Sequence, residues 1–285
     1  MAKLFGRGVK WVARAAVSPR HFRALGKMGL VFRNPLTVYW NYINRGGSYP
    51  QAYAVRTPLG DRSFTLFSVE DLLTLNEVFA RNDYKATSRD EVVVDFGSNI
   101  GLSVGYFLTR SPRSFVYAFE PVPRNIVRLR KNLVGLETRY ALSTVAVGIE
   151  NARVKFGTEE TGRYGGVGLE TGSLIEVECV SSNQILDSVL SRHGRIDILK
   201  ADIEGFEERV FGAIPPEFLC RINKIYIECA FSLNPIPETH CFRQYGTVAQ
   251  FWRRPKQAGK KEGFRQIPPS RFDFRRVDGF WVPVR

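Results

Sequence analysis

The sequence predicts an α/β chain built on a parallel sheet with helices on both faces, preceded by a small helical and hairpin N-terminal region. Two observations predict it. From Glu91 onward, apolar runs of strand length alternate with amphipathic runs of helix length, the pattern that βαβ crossovers produce. The first of those apolar runs also ends in a glycine-rich turn opening onto a helix, which is where an open parallel sheet binds its ligands. At 285 residues and 44% apolar content, the chain is long enough for one sizeable α/β domain with an appendage.

Residues 1–50 read as a basic extension of helices and turns, broken by Pro19, Pro35, Gly46-Gly47 and Pro50. Residues 51–90 lead into the core. Runs 52–56 and 63–67 flank Thr57-Pro58-Leu59-Gly60-Asp61, a hairpin with proline and glycine in its turn. Ser68 caps the next helix, with Asp71 at the reciprocal capping position and Leu72, Leu75 and Phe79 turned inward. Residues 91–285 form the main domain: strand 92–96, helix 100–110, strand 115–119, helix 123–133, strand 144–147, a hairpin arm at 175–180, helix 181–190, and strands 196–200 and 224–229. Ligand-facing positions then fall at 95–101, 120, 146–148, 201–205 and 228–232.

The net charge of +13 is uneven. Residues 1–60 carry ten Lys or Arg and no acid, residues 251–285 carry ten against three, and the middle carries twenty-one against twenty-five. The body is therefore not basic, and a nucleic-acid partner is not expected from charge alone. On a helical projection Phe5, Val9, Val12 and Ala16 share a stripe opposite Lys3, Arg7, Lys10 and Arg14, with Leu4 and Trp11 near its basic edge. Such a helix suits peripheral contact with an anionic membrane, packing on its own domain, or an organelle transit peptide. No run approaches the roughly 18 apolar residues of a membrane span. Cys179, Cys220, Cys229 and Cys241 show no metal-ligand spacing, so no metal is expected. Reduced thiols, buried at Cys179 and Cys229, fit a cytoplasmic protein.

After the first strand the chain reads Asp95-Phe96-Gly97-Ser98-Asn99-Ile100-Gly101. Glycines let a backbone turn tightly and approach what a side chain would block, and the following helix presents its amides. A dinucleotide fingerprint would place its glycines at Asp95, Gly97 and Ile100, so it fails. A phosphate cradle has little use for Asp95. An acid there suits a phosphate-free ligand with a cationic amino-acid end, as in the methionine part of S-adenosylmethionine. The second strand ends in Glu120, whose carboxylate can accept both hydroxyl protons of a ribose.

Four segments carry a resemblance: residues 92–101; Tyr117-Ala118-Phe119-Glu120-Pro121-Val122-Pro123; Val145-Ala146-Val147-Gly148; and residues 197–207, with Asp202, Glu204, Gly205 and Glu207. Across roughly residues 70–230 the chain resembles the FkbM-type methyltransferases. The resemblance implies a Rossmann-like class I methyltransferase sheet, S-adenosylmethionine as donor, and a hydroxyl of a sugar, glycolipid or natural product as acceptor. Asp95, Gly97, Gly101 and Glu120 match the family's cofactor positions, Ser98 and Asn99 complete the loop, and Ala146 lies where the fold places the adenine.

Methyl transfer to an alcohol needs alignment and a group to take the hydroxyl proton. Asp202 and Glu204 follow the fourth strand at the cleft, Asp202 as proton acceptor and Glu204 orienting the acceptor or the loop. The plainer alternatives are a helix cap and a helix-dipole acid. Glu228 ends the fifth strand, His240 is the histidine that could reach the acceptor side, and Tyr164 could close over substrate, whereas His21 and His193 read as surface residues. Two other functions remain open: a nucleic-acid or protein methyltransferase, and a non-catalytic docking module. The first lacks its usual trace, since the loop after the fourth strand reads Asp202-Ile203-Glu204-Gly205 and not Asp/Asn-Pro-Pro-aromatic.

Overall fold

Proline and paired capping residues shape the entry to the fold. The computed structural model describes residues 26–158, 165–167 and 173–255, together with two short strand pairs, Lys3–Leu4 with Arg7–Gly8 and Phe274–Val277 with Phe280–Pro283. The first pair corrects the expected basic helix at its start, because Lys3 pairs with Gly8 and Leu4 with Arg7. The rest of that predicted helix, residues 9–17, and Tyr164 and His21 lie outside the described residues.

Helix α1 (Pro35–Asn44) begins on a proline and ends at Arg45 in a left-handed conformation. Strands β1 (Gln51–Thr57) and β2 (Gly60–Leu66) form the expected hairpin, with Tyr53 opposite Phe64 and a turn at Pro58-Leu59. Ser68 caps α2 (Val69–Asn76): its hydroxyl accepts from the Asp71 amide at 3.2 Å, and its own amide donates to Asp71 at 3.1 Å. Leu72, Leu75 and Phe79 are buried as their spacing requires. Residues 26–90 share one apolar cluster with the sheet, since Met28, Phe32, Val38 and Phe64 pack in the same core as Val93, Ile198 and Tyr226.

The main domain continues with β3 (Val92–Phe96), α3 (Leu102–Leu108), β4 (Phe115–Phe119), α4 (Pro123–Asn132) and β5 (Tyr140–Ser143). A second sheet is made from β6 (Ala146–Gly148), β7 (Ala152–Thr158), β8 (Gly165–Val167) and β9 (Ser173–Ser181), in the order β8-β7-β9-β6. Then come α5 (Ser182–His193), β10 (Ile196–Ala201), α6 (Glu207–Gly212), α7 (Pro216–Leu219), β11 (Ile222–Ile227), β12 (His240–Tyr245) and β13 (Val248–Arg253).

The central sheet has seven strands in the order β12-β13-β11-β10-β3-β4-β5. Numbered within the sheet from β5 inward this is 3-2-1-4-5-7-6, the doubly wound order with its last hairpin folded back, so that β13 runs antiparallel to β11. Alternation decides what each face meets. Val93, Val116, Ala118, Ile198 and Tyr226 pack against α3, α4 and the N-terminal region, while Val94, Phe96, Leu199, Ala201 and Ile227 pack against α5, α6 and α7. The order reverses between β3 and β10, so the crevice for a ligand lies at their carboxyl ends.

One expected strand moves. The run 144–147 is not the third strand of the main sheet: that strand is β5, and the chain crosses at Thr144-Val145 to join the second sheet at Ala146, parallel to Cys179. A short apolar run says that it is buried, not which sheet buries it.

Candidate active site

The register of two neighbouring strands builds the centre of the site. β10 lies parallel to β3 with Lys200 opposite Asp95, both side chains on the face toward α3 and both closed to solvent. Lys200 Nζ lies 2.9 Å from Asp95 Oδ1 and donates to the Gly97 carbonyl at 2.9 Å, and Ser103 Oγ donates to Asp95 Oδ2 at 2.5 Å. Both oxygens of Asp95 are therefore engaged below the turn. Asp95 holds the ammonium that in turn holds the loop. Burial pulls the Lys200 pKa down, but Asp95 and then Asp202 outweigh it and lift it above the ordinary lysine range. The Tyr84 ring covers the ammonium at 5.5 Å.

The turn above this pair is tight because two loops touch. Gly97 has φ +78°, and a Cβ there would stand 1.8 Å from the Asp202 carbonyl oxygen. Gly97 thus admits the backbone of another loop. Gly101, at φ +84°, fits against Leu129 of α4. Ser98 is buried and spends its hydroxyl on the Asp95 carbonyl and the Phe119 amide, so it braces the turn and offers no side chain to a ligand. Asn99 is the half-buried residue at the tip, with φ +46° and its amide donating to Glu120 Oε2 at 2.9 Å.

Glu120 directly follows β4 and is only 4% exposed. Its carboxylate also accepts from the Val122 amide at 3.0 Å and from Asn125 Nδ2 at 3.2 Å, and burial raises its pKa to about 7. Three donors meet a group with roughly four acceptor positions, so one acceptor position remains, and the Asn99 amide can be exchanged for a ligand donor. Ala146 sits 2% exposed among Val122, Phe156 and Cys179. It thus links the second sheet to the start of α4, two residues beyond Glu120.

On the other side of the switch point the loop after β10 carries Asp202 and Glu204. Asp202 is a quarter exposed, and its Oδ2 lies 3.6 Å from Lys200 Nζ. Its amide donates to the Phe96 carbonyl, tying the loop to β3. Glu204 is held at φ +54° and is half-buried. The clamp on this loop is Glu207, whose two carboxylate oxygens accept from the Ile203 and Gly205 amides at 2.8 Å each, and whose pKa burial raises to about 7. Glu228, just past β11, is set beside Asp202 because its amide donates to the Ala201 carbonyl at 3.0 Å. The neighbouring charge of Asp202 raises the pKa of this exposed carboxyl above the usual range. Asp202, Glu204 and Glu228 are thus brought to one edge of the crevice, with Lys200 behind Asp202.

His240 does not join them. It is fully buried, with Nε2 3.0 Å from the carbonyl of Ile222 and Nδ1 2.9 Å from Thr239 Oγ1, and burial lowers its pKa to about 4. Ile222 starts β11, so His240 is a neutral structural residue at the opposite end of the sheet. His193 bonds Tyr117 Oη at 2.7 Å. Sequence reasoning missed Lys200, Tyr84 and the clamp made by Glu207. The signal for Lys200 was one cation inside an apolar strand, two residues before Asp202, in the strand that this topology sets beside Asp95.

A family model described as the methyltransferase FkbM domain matches residues 95–254, more than half of the chain. The chain belongs to the FkbM methyltransferase family. This FkbM chain is 29% identical over 155 residues to the 2-O-methyltransferase NoeI of Sinorhizobium fredii (strain NBRC 101917 / NGR234), the alignment covering 49% of this chain and 63% of that relative. It thus spans less than two thirds of the curated relative's length. Two solved structures superpose on it: the methyltransferase FkbM of Methylobacillus flagellatus KT, with 13% identity, 88% of this chain, 62% of that one and a TM-score of 0.39; and the SAH-bound methyltransferase PaMTH1 of Podospora anserina, with 10% identity, 90% and 100% coverage and a TM-score of 0.34. The family assignment rests on the match over 95–254 and not on these superpositions. The matched range runs from Asp95 through Glu120, Lys200, Asp202 and Glu228 to the end of β13, so it contains the whole crevice.

Proposed function

We propose that this chain transfers the methyl group of S-adenosylmethionine to a hydroxyl oxygen of a sugar, glycolipid or natural product. The observation that carries the reading is the pair Asp202 and Glu228 at the carboxyl ends of adjacent strands, across the switch point from the buried acceptor Glu120.

The residues fit such a cofactor by their chemistry. Glu120 has an acceptor position for a ribose hydroxyl, the Asn99 amide sits beside it, and the turn from Gly97 to Gly101 brings backbone to the crevice without side chains in the way. S-Adenosylmethionine, when bound, supplies an electrophilic methyl carbon on a sulfonium. The protein's work is then alignment and proton removal. A hydroxyl hydrogen-bonded to a carboxylate oxygen of Asp202 can pass its proton there, and Glu228, whose affinity for a proton is raised by Asp202, shares it. Lys200 fixes the position of Asp202 from below. The NoeI relative, described as a 2-O-methyltransferase, supports oxygen as the methylated atom.

The test is transfer of radiolabelled methyl from S-adenosylmethionine to a panel of oligosaccharides, glycolipids and polyhydroxylated small molecules, followed by mild alkali. A methyl ether survives alkali, whereas a methyl ester is hydrolysed. The expected result is alkali-stable label with wild type, lowered by about 10² to 10⁴ in Asp202→Asn. Label confined to protein, RNA or an alkali-labile product would refute the reading.

A further inference from the structure

The N-terminal region presents a surface that the crevice does not use. On α1, Leu36, Trp40 and Ile43 recur at spacings of four and three, so they lie within one narrow arc of the helix, and they are 82%, 71% and 40% exposed. The inward residues of the same helix, Val38 and Asn41, lie on the opposite side and are buried in the shared core, with Asn41 Nδ2 donating to Tyr53 Oη. Leu30, in the preceding helical turn, is 73% exposed. A large aliphatic, a tryptophan and a second aliphatic left outward on one face is not what a helix made only to cover a core shows.

The charge around this face narrows the partner. The first 60 residues hold ten cations and no acid. Among the described residues Lys27 is exposed, Arg45 is exposed at the C-terminus of the helix, and Arg56 donates to the carbonyls of Leu30 and Phe32. The nearby acids are Asp61, paired with Arg33 at 2.5 Å, and Glu70, which faces Arg45 at 3.9 Å. Cations without acids in the segment itself, next to an outward tryptophan and two branched aliphatics, match an anionic lipid surface: headgroups meet the cations, and the indole and aliphatic side chains enter the interface between headgroup and acyl chain.

We propose that the Leu36–Trp40–Ile43 face of α1 is a docking surface for anionic membranes and that the chain is held at a bilayer through it. The inference stands apart from the cofactor reading, because none of these residues touches the crevice.

The test is sedimentation of the full chain with vesicles of pure phosphatidylcholine and of phosphatidylcholine with a quarter phosphatidylglycerol, for wild type and the triple variant Leu36→Ser, Trp40→Ser, Ile43→Ser. All three side chains are exposed, so the variant should fold, which circular dichroism and the unfolding midpoint check. The expected result is binding to the phosphatidylglycerol vesicles only, weakened by raised salt, and reduced at least tenfold in the triple variant. A second reading uses Trp40→Phe: wild type should show a blue-shifted emission component with these vesicles that the variant lacks. Equal vesicle binding by wild type and a folded triple variant would overturn the proposal. So would absence of vesicle binding by wild type. A dimer in solution that the triple variant dissolves, with no vesicle binding, would make the face a contact between two copies and would likewise overturn it.

Discussion

Two glycines share nearly the same backbone angle but not the same surroundings, and their alanine variants separate strain from contact. Gly97 has φ +78° and Gly135 has φ +81°, so alanine at either pays about the same left-handed penalty, roughly 1–2 kcal/mol, less several tenths regained from the unfolded chain. At Gly135 a Cβ meets nothing within 4 Å. At Gly97 it would stand 1.8 Å from the Asp202 carbonyl oxygen and 2.8 Å from the carbonyl carbon, both backbone atoms, in a loop tied down by the Asp202 amide to Phe96 and by Glu207. Relief requires the two loops to separate by well over an ångström, and overpacking of this kind adds about 1–3 kcal/mol. Gly97→Ala should therefore cost about 2–4 kcal/mol and Gly135→Ala about 1. Urea unfolding followed by far-ultraviolet circular dichroism reads both, as shifts in midpoint at constant slope. Equal costs would refute the claim that Gly97 is demanded by the contact of the two loops.

The ion pair beneath the turn gives a second prediction. Lys200→Met leaves the Asp95 carboxylate buried opposite an apolar side chain, a loss of about 3–5 kcal/mol, and the double variant with Asp95→Asn should recover part of it. The single variant's deficit should be smaller at pH 5 than at pH 8, because an Asp95 without its cation gains stability by taking up a proton. A third prediction concerns Glu120, whose folded pKa of about 7 lies above its ordinary 4.5. Its contribution is full below about 4.5 and is lost as pH rises to about 7, on the order of 3 kcal/mol. Wild type should thus lose stability across that window, and Glu120→Gln should lose less; unfolding midpoints at several pH values between 4.5 and 8 decide it, and parallel profiles would contradict the burial of a titrating Glu120.

Much of this was legible in the sequence because β3 and β10 are buried on both faces and read as apolar runs interrupted only by Asp95, Asp197 and Lys200, because β4 is apolar throughout, and because α4 and α5 carry clear amphipathic stripes. The hairpin at Pro58-Leu59 and the cap made by Ser68 and Asp71 are local chemistry and were readable for that reason. β5 was missed since Tyr140-Ala141-Leu142-Ser143 is a half-exposed edge strand with no strong pattern. The hairpin of β12 and β13 was missed as well, its first strand mixing His240, Arg243 and Gln244 with apolar residues. At the site, the positions at strand ends were predictable from topology, and Asp202, Glu204, Glu228 and Glu120 do converge there. What each side chain faces was not, because that depends on register: only the ladder between β3 and β10 shows that Asp95 answers Lys200, and only the second sheet shows that Ala146 pairs with Cys179 and not with β4.

The central claim is that the crevice between β3 and β10 binds S-adenosylmethionine through Glu120. Calorimetric titration of S-adenosylmethionine into the folded wild type and into Glu120→Ala tests it most directly. The account predicts saturable binding by wild type, weakened by at least about tenfold, roughly 1.4 kcal/mol, in the variant. No saturable binding by wild type, or equal affinity in the two, would contradict it.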